Sequence, residues 1–243
     1  MSKILVIGST SGIANEAIKI WLEQGNHIHL YARNHDKLKM QVADLEIRFP
    51  GHKIDAFTFE ANNLSKTLDQ ISLDNFDIAL ITVGELKYSD ELVGQIQVSE
   101  KLINSNIQIP LAFAQTILEK YKTQGYGKLG IIGSVAGDRG RGKNYLYGAS
   151  KAFWETYLEG ARQEIWKNKN ISLSLIKPGP TNTAMVQGRE LGNLRLAKPE
   201  AVAKVIVNGM ERGKSVIYAP KIFQLIMFIF KIMPIKIFNR LSF

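Results

Sequence analysis

Short apolar runs alternate with helical segments along most of this chain, and this alternation restricts its fold more than any other feature. The apolar runs predict strands at Lys3–Ile7, His27–Tyr31, Lys53–Phe59, Asp77–Val83, Lys128–Gly133, Ser172–Ile176 and Ser215–Tyr218. The intervening segments predict helices at Ile13–Gln24, Lys37–Phe49, Leu92–Tyr121, Tyr147–Lys167 and Pro199–Arg212. Because strands joined through helices form right-handed crossovers, we expect an α/β protein: a doubly wound parallel sheet of about seven strands with helices on both faces.

Length and composition agree with one domain. The chain has 243 residues, of which 45% are hydrophobic and 22% are charged, as in soluble globular proteins. We expect a domain over residues 1–220, followed by an apolar, cationic segment at 221–243. The absence of cysteine excludes disulfides, thiolate nucleophiles and zinc–thiolate sites. The histidines show no metal-ligand spacing, so we expect no metal; they are His27, His29, His35 and His52.

The net charge of +9 is unevenly distributed. Four cations and no acidic residue lie beyond residue 220: Lys221, Lys231, Lys236 and Arg240. The remainder, about +5, forms no long basic run and no aromatic–basic pattern, so we expect no nucleic-acid partner. Met-Ser-Lys leads directly into the first predicted strand without the apolar stretch of a secretory signal, so we expect a cytoplasmic protein.

A glycine-containing turn, Gly8-Ser-Thr-Ser-Gly12-Ile-Ala14, follows the first predicted strand and opens the first helix. Gly8 permits a tight turn, Gly12 lets the backbone approach a pyrophosphate at the helix N-terminus, and Ala14 allows close helix–strand packing. At this position the turn predicts a Rossmann-type dinucleotide site. The predicted contacts are Gly8, Ser9, Thr10, Ser11, Gly12 and Ile13. Glycines also occur in such turns for geometry alone, and that alternative stays open.

The end of the second predicted strand bears on the choice of dinucleotide. An acidic residue there favours the free 2′-hydroxyl of NAD(H), whereas an arginine accommodates the 2′-phosphate of NADP(H). The sequence has Tyr31-Ala32-Arg33-Asn34, with no acidic residue. We therefore expect NADP(H) in preference to NAD(H), with Arg33 as a contact; a solvated loop charge is the alternative.

Tyr147 and Lys151 lie four residues apart, on one face of a predicted helix. A phenol titrates near ~10 and is a poor acid at neutral pH. A lysine charge ~4 Å away contributes up to ~4 kcal/mol at an effective dielectric of ~20, or ~3 units of phenol pKa. A surface helix could present the same pair by chance. Ser134, at the end of the fifth predicted strand, and Asn106, in the preceding helix, add polar groups; alone, they also suit a strand-end cap and a helix kink.

Together these segments resemble the short-chain dehydrogenase/reductase superfamily, in its branch of single-domain subunits, over residues 3–218. The glycine turn is similar to the family's cofactor loop, and Asn106, Ser134, Tyr147 and Lys151 match its catalytic tetrad. The resemblance implies further cofactor contacts at Asn63, Leu64, Val83, Gly84, Tyr147, Lys151, Pro178, Gly179, Thr181 and Thr183. Ile81-Thr82-Val83-Gly84 replaces the family's Asn-Asn-Ala-Gly, and Asn63-Leu64 replaces Asp-Leu or Asp-Val. These departures bear on cofactor contacts rather than on the chemistry.

The resemblance implies a mechanism in which NADPH delivers hydride to a carbonyl carbon while Tyr147 donates a proton to the developing alkoxide. Ser134 would orient the carbonyl oxygen. Lys151 would lower the pKa of Tyr147 and bind the nicotinamide ribose. Asn106 would anchor a water that joins Lys151 to solvent. The alternative is a non-catalytic nucleotide sensor, which has no need for all four groups.

The substrate is less well defined by the sequence. Arg139, Arg141 and Lys143 precede Tyr147 and suit a phosphate or a carboxylate, although a solvated loop or a subunit contact is an open alternative. This loop also resembles that of polyprenyl-phosphoryl-pentofuranosid-2-ulose reductases, which act on a lipid-linked keto-sugar in bacterial cell-wall assembly. The resemblance implies reduction of a keto-sugar; a lipophilic ketone, such as a 3-oxoacyl or steroid-like compound, is the alternative substrate.

The C-terminal segment is apolar, aromatic and cationic. Its uninterrupted apolar run, Leu225–Phe230, is far shorter than the ~20 residues that span a bilayer, and Pro234 follows it. Such a segment could lie at the inner face of a membrane, with its cations toward anionic headgroups. Alternatively, it could pack on the core, line the substrate pocket or form a subunit contact, since the family resemblance also implies a homo-oligomer.

Overall fold

The computed structural model describes residues 1–189 and 195–241, and within them the strands form one parallel sheet. The strands are β1 (Lys3–Ile7), β2 (His27–Ala32), β3 (Ile54–Thr58), β4 (Ile78–Ile81), β5 (Gly127–Ile132), β6 (Ile171–Pro178) and β7 (Val216–Ala219). Their order is β3-β2-β1-β4-β5-β6-β7, and every neighbouring pair is parallel. The predicted Rossmann-type α/β fold is confirmed.

Helices cover both faces of the sheet. They are α1 (Gly12–Glu23), α2 (His35–Arg48), α3 (Ser65–Leu73), α4 (Ile96–Ile103), α5 (Ile109–Gln124), α6 (Tyr145–Glu164), α7 (Pro199–Glu211), α8 (Ile222–Ile232) and α9 (Ile235–Phe238). Trp21 and Ile206 anchor α1 and α7 in the core on one face, and Phe113 and Trp154 anchor α5 and α6 on the other. Because both faces are covered, the central strand β4 is apolar throughout, and its neighbour β1 is apolar after Lys3.

The strand order reverses between β1 and β4, which pair directly. The connections that leave these two strands diverge, and a crevice opens at their carboxyl ends. Gly8 follows β1 at this point, and Thr82 follows β4, with the Thr82 amide donating to Ile7 O at 2.8 Å. The predicted glycine turn therefore lies at the switch point of the sheet.

The helix predicted at Leu92–Tyr121 is interrupted. A π-helical turn, Asn104–Gln108, joins α4 to α5. Pro110 has no N–H to offer the carbonyl of Asn106 four residues earlier, and that carbonyl accepts a hydrogen bond from Trp154 Nε1 at 3.0 Å instead. The apolar spacing does not predict α3, which has only Thr67 and Ile71 buried.

The segment after residue 220 packs on the rest of the protein as far as residue 241. Within it, Met227 and Phe238 are buried. Lys231 Nζ lies 3.1 Å from Asp138 and 3.2 Å from Glu155, on the main body of the protein. Across the described parts of the chain, no helix is both long enough and apolar enough to cross a membrane. We propose that the segment is an addition to the domain at 1–220.

Candidate active site

A cavity of about 1400 Å³ opens at the carboxyl edge of the sheet, where β1, β4, β5 and β6 end. Most of the residues predicted from the sequence to form a site line it. They are Gly8, Thr10, Ser11, Gly12, Ile13, Arg33, Val83, Gly84, Ser134, Tyr147, Lys151, Pro178, Gly179, Thr181 and Thr183. Segments far apart in sequence thus converge on one space because parallel strands present their carboxyl ends at the same edge.

Four predicted site residues do not line this cavity. Ser9 is fully buried, and its hydroxyl donates to Gln41 Oε1 at 2.9 Å. Asn63 is exposed in a turn beyond β3, where its backbone N–H donates to Glu60 O. Leu64 follows it in the chain. Phe59 lies on the cavity wall near this connection. Asn106, the fourth, is buried behind the wall.

The turn after β1 is held open for a ligand by close packing beneath it. Gly8 has φ 85°, and a Cβ there would lie 2.7 Å from Thr82 Oγ1. That hydroxyl donates to Gly8 O at 2.7 Å. At Gly12, a Cβ would lie 3.0 Å from Thr183 Cγ2. Glycine at both positions therefore lets the turn pack against Thr82 and Thr183 without a clash, and the turn lines the cavity beside the α1 N-terminus, a position that suits a pyrophosphate. The sequence did not predict the support from Thr82, because this position departs from the family pattern.

Arg33 lies at one end of the cavity, in the connection from β2 to α2. Lys37, which the sequence analysis did not select, also lines this end. Asn34 begins α2 by accepting a hydrogen bond from the backbone N–H of Lys37 at 2.8 Å, so both cations belong to one short stretch of the chain. Two cations in the cavity lining suit a phosphate better than a neutral hydroxyl.

Tyr147 and Ser134 meet at the other side of the cavity. Tyr147 lies in the first turns of α6 and is only 8% exposed. Its hydroxyl hydrogen-bonds with that of Ser134, whose Oγ also accepts from the Ala136 amide at 3.1 Å. Burial raises the pKa of Tyr147, and the hydrogen bond with Ser134 offsets part of this rise. Tyr147 therefore stays protonated at neutral pH, which is the state of a proton donor.

Lys151 lies one turn further along α6. Its Nζ donates to Ile132 O at 3.1 Å and lies 5.8 Å from the centre of the Tyr147 ring. Burial lowers the pKa of Lys151 to about 8. The pKa of Tyr147 is raised because burial outweighs the hydrogen bond with Ser134, and the lowering of this pKa by Lys151 stays a prediction.

Asn106 connects this wall to the loop after β4. Its Oδ1 accepts from the Glu85 amide at 2.7 Å, and its Nδ2 donates to Glu85 O at 3.0 Å and to Ser150 Oγ at 2.9 Å. A Cβ on Gly84 would lie 2.9 Å from Asn106 Oδ1 and 3.0 Å from Lys151 Nζ. Both amide N–H groups of Asn106 thus have protein partners. These hydrogen bonds fix the Asn106 side chain between the loop after β4 and α6, and its role as the anchor of a water stays a prediction.

On the remaining wall, two of the three cations predicted near the substrate face the cavity. Arg141 and Lys143 line it, but Arg139 does not. The Arg139 guanidinium donates to carbonyl groups at the end of α8, including Met233 O at 2.7 Å, and lies 4.1 Å from the centre of the Phe238 ring. Arg139 therefore fixes the C-terminal segment in place.

Three apolar residues of α8 complete this wall: Phe223, Ile226 and Phe230. Phe223 lies against Gly179, where a Cβ would approach its ring carbon to 2.3 Å. The sequence analysis left open whether the C-terminal segment lines the pocket, and no motif marked these positions. Only the path of α8 after β7 brings them to the cavity.

Comparison with known proteins identifies the family. Residues 2–193 match the sequence model of the short chain dehydrogenase family. The chain belongs to this family. It is 26% identical over 216 residues to an uncharacterized oxidoreductase of Mycobacterium tuberculosis, covering 86% of this chain and 85% of that protein. The protein is therefore a short-chain dehydrogenase/reductase oxidoreductase, of a family that binds NAD(P) and acts on small-molecule carbonyl compounds.

Solved structures of the family share its fold. A short-chain dehydrogenase from Burkholderia cenocepacia in complex with NADP superposes with a TM-score of 0.83 at 16% identity, covering 100% of this chain and 98% of that one. One from Sphingobium yanoikuyae in complex with NADPH gives 0.79 at 18% identity, covering 97% of each chain. At sequence identities of 16% and 18%, the similarity to these two structures establishes that this protein has the same fold.

Two of the four histidines lie close to an aspartate, an arrangement that their spacing in the sequence does not predict. His27 and His29 alternate along β2 and so share a face, where Asp55 of β3 lies within 2.7 Å and 3.2 Å of their Nε2 atoms. Burial lowers the pKa of His29 to about 4. Strand pairing, rather than sequence spacing, thus brings these three groups together. The cluster lies toward the amino ends of the strands, away from the dehydrogenase cavity.

Proposed function

We propose that this protein is an NADPH-dependent reductase that converts a ketone to an alcohol. One observation carries the proposal: Ser134 and Tyr147 hydrogen-bond each other on the wall of the cavity, beside the buried ammonium group of Lys151. A protonated phenol next to a second hydroxyl can hold a carbonyl oxygen and give it a proton. Lys151, with a pKa of about 8, adds a positive charge at neutral pH.

The residues present fit a dinucleotide. Gly8 and Gly12 line the cavity at the α1 N-terminus, where a pyrophosphate would meet backbone N–H groups, and Pro178, Gly179 and Thr181 line the same cavity. When bound, the cofactor supplies the hydride. Ser134 orients the carbonyl oxygen, Tyr147 donates its hydroxyl proton to that oxygen, and Lys151 stabilises the resulting phenolate. Asn106 holds the loop after β4 against the wall.

NADP(H) is favoured over NAD(H) because Arg33 and Lys37 line the same end of the cavity. Arginine presents a planar donor fork that matches a phosphate, and lysine adds a point charge. The solved relatives bound to NADP and NADPH agree with this preference.

For the substrate we propose a keto-sugar linked through phosphate to a lipid. Arg141, Lys143 and Arg195 line the cavity and suit a phosphate. Burial lowers the pKa of the Arg141 guanidinium, and an anion beside it would favour its charged form. The apolar side chains of α8 suit the adjoining hydrocarbon. This choice agrees with the narrower resemblance of the loop at 134–151 to polyprenyl-phosphoryl-pentofuranosid-2-ulose reductases, and hence with a role in cell-envelope polysaccharide synthesis.

A lipid-linked substrate implies that the enzyme works at the cytoplasmic face of a membrane, and the family resemblance implies a homo-oligomer. The alternative is reduction of a lipophilic ketone, such as a 3-oxoacyl or steroid-like compound, for which the aromatic wall would suffice. That alternative makes no use of the three cations, whereas a phosphate-linked substrate uses them all.

The test is NADPH oxidation, with NADH in parallel, across phosphorylated keto-sugars, neutral keto-sugars and 3-oxoacyl thioesters. We expect the highest kcat/KM for a phosphate-bearing keto-sugar with NADPH. Tyr147→Phe should lower kcat by about 100-fold or more while the enzyme still binds NADPH. The matched control is Tyr145→Phe, because Tyr145 lies on the same helix but is 55% exposed and outside the cavity.

The outcomes separate the hypotheses. Equal turnover by Tyr147→Phe and the unmodified enzyme would refute the proton-transfer role. Preference for the oxoacyl thioesters would select the lipophilic-ketone alternative. NADPH binding without oxidation of any ketone in the panel would indicate the non-catalytic sensor.

A further inference from the structure

Helix α8 carries apolar side chains on both its inner and its outer side, and only the inner side packs on the protein. Phe223, Ile226 and Phe230 face the cavity, and Met227 is fully buried. The opposite side carries five large apolar side chains that are 46–64% exposed: Ile222, Leu225, Phe228, Ile229 and Ile232. Surface helices of globular proteins normally place polar residues on this side. An apolar outer face of this kind marks an interaction site.

The apolar face extends beyond α8. Ile235 and Ile237 on α9 are 67% and 53% exposed, and Leu241 is 41% exposed. With the five side chains of α8, these residues define the tail face. Two cationic side chains help to hold its underside to the body of the protein: Arg139 donates to the end of α8, and Lys231 pairs with Asp138 and Glu155. The tail face is therefore a fixed surface rather than a free peptide.

The charged side chains around the tail face are cationic. Lys221, Lys236 and Arg240 are exposed within the segment, which contains no acidic residue. A groove of about 390 Å³ adjoins the start of α8, and four cations line it: Lys204, Arg212, Lys214 and Lys221. No carboxylate occurs among the described residues of this lining. Apolar side chains flanked by cations complement an anionic lipid surface.

We propose that the tail face docks on an anionic bilayer, with its apolar side chains in the interface and its cations against the headgroups. A second copy of the chain suits the face less well, because a two-fold contact would bring each cationic patch against its own copy. Because Phe223, Ile226 and Phe230 occupy the other side of α8, docking places the cavity wall beside the lipid. Delivery of a lipid-linked substrate by this route rests on the proposed function, whereas the docking itself does not.

The test is co-sedimentation of the full chain with vesicles of phosphatidylcholine containing phosphatidylglycerol, compared with phosphatidylcholine alone. We expect binding to the anionic vesicles that weakens at high salt. Replacing Leu225 and Ile232 with Glu should lower the partition coefficient by about tenfold or more. The matched control replaces Ile47 and Leu73 with Glu, since these side chains are 81% and 85% exposed but lie on α2 and α3; it should bind like the unmodified protein.

A second variant, with Lys221, Lys236 and Arg240 changed to Gln, keeps the apolar face and should lose only the preference for anionic vesicles. NADPH affinity, measured for every variant, reports folding and is independent of any ketone substrate. Equal sedimentation of the unmodified protein and the Leu225→Glu, Ile232→Glu variant would overturn the proposal. So would light scattering that shows a dimer without vesicles and a monomer for that variant, because a second copy would then cover the face.

Discussion

Two walls of the same cavity are built in opposite ways. On the proton-transfer wall, polar groups are buried and linked to the protein: Tyr147 to Ser134, Lys151 to Ile132 O, and Asn106 to Glu85 and Ser150. On the wall made by α8, the side chains are apolar, and the far side of the same helix faces solvent.

This difference separates reaction from substrate. Hydrogen bonds require specific partners at specific distances, so the proton-transfer wall supports one kind of chemistry. Apolar contact requires mainly shape, so the α8 wall can accept many ligands of similar size. Under the proposed function, the first wall defines what is done to a carbonyl group, and the second selects which molecule carries it.

The largest effect on the proton-transfer wall is expected from removal of the buried side-chain amide of Asn106. Asn106→Leu has a similar volume but leaves the Glu85 N–H and C=O without their partner. Because each unpaired buried group costs ~1–3 kcal/mol, we expect the free energy of unfolding to fall by roughly 3 kcal/mol. We expect kcat to fall about 100-fold, since Lys151 and the β4 loop would shift.

Urea denaturation and steady-state kinetics measure the two effects, and Gln108→Leu is the control. Gln108 lies on the same π-helical turn but is exposed, so its replacement should leave both quantities nearly unchanged. An Asn106→Leu enzyme with normal kcat would show that the proton-transfer wall does not depend on these hydrogen bonds.

The pH dependence probes the same wall through Lys151, whose pKa is about 8. Below pH 8 the side chain is charged and, in the proposed mechanism, stabilises the phenolate that Tyr147 becomes when it has donated its proton. Because burial raises the pKa of Tyr147, ionisation of Tyr147 itself does not account for a loss of the reduction rate near pH 8. We expect the reduction rate to fall about tenfold per pH unit above pH ~8. A rate that stays constant to pH ~10 would contradict this role for Lys151.

Stability should change in the opposite direction over that window. The pKa of Lys151 is lowered from 10.5 to about 8 in the folded protein, so between these values the unfolded chain binds more protons. The free energy of unfolding therefore rises with pH across the window, by up to ~3 kcal/mol. Lys151→Met removes this contribution, and the difference between the two denaturation profiles isolates it.

The sequence predicted the first wall far better than the second, for a physical reason. Ser134, Tyr147 and Lys151 follow a local pattern of strand end and helix turn, so their meeting needs only the predicted parallel sheet. Phe223 carries no such pattern. Its place in the cavity depends on how α8 turns back after β7, which short-range periodicity does not encode.

Similar reasoning explains two further differences. The π-helical turn at Asn106 depends on Trp154 reaching its carbonyl from another helix, a contact that spacing within one helix cannot indicate. The pKa of Tyr147 is raised by burial. The sequence provided the spacing to Lys151 but not this degree of burial.

The two sides of α8 offer the finest comparison. Phe223→Ala enlarges the cavity wall, so we expect kcat/KM for a bulky apolar or lipid-linked ketone to fall about tenfold, with a smaller change for a small ketone. Phe228→Ala, at a side chain 60% exposed on the outer face, should leave both rates unchanged and weaken vesicle binding instead. Each ketone is measured with both variants, in detergent-free buffer without vesicles. If Phe228→Ala lowered the rates as much as Phe223→Ala, α8 would act on the site through its overall position. Distinct effects would show that one helix selects the substrate on its inner side and meets the lipid on its outer side.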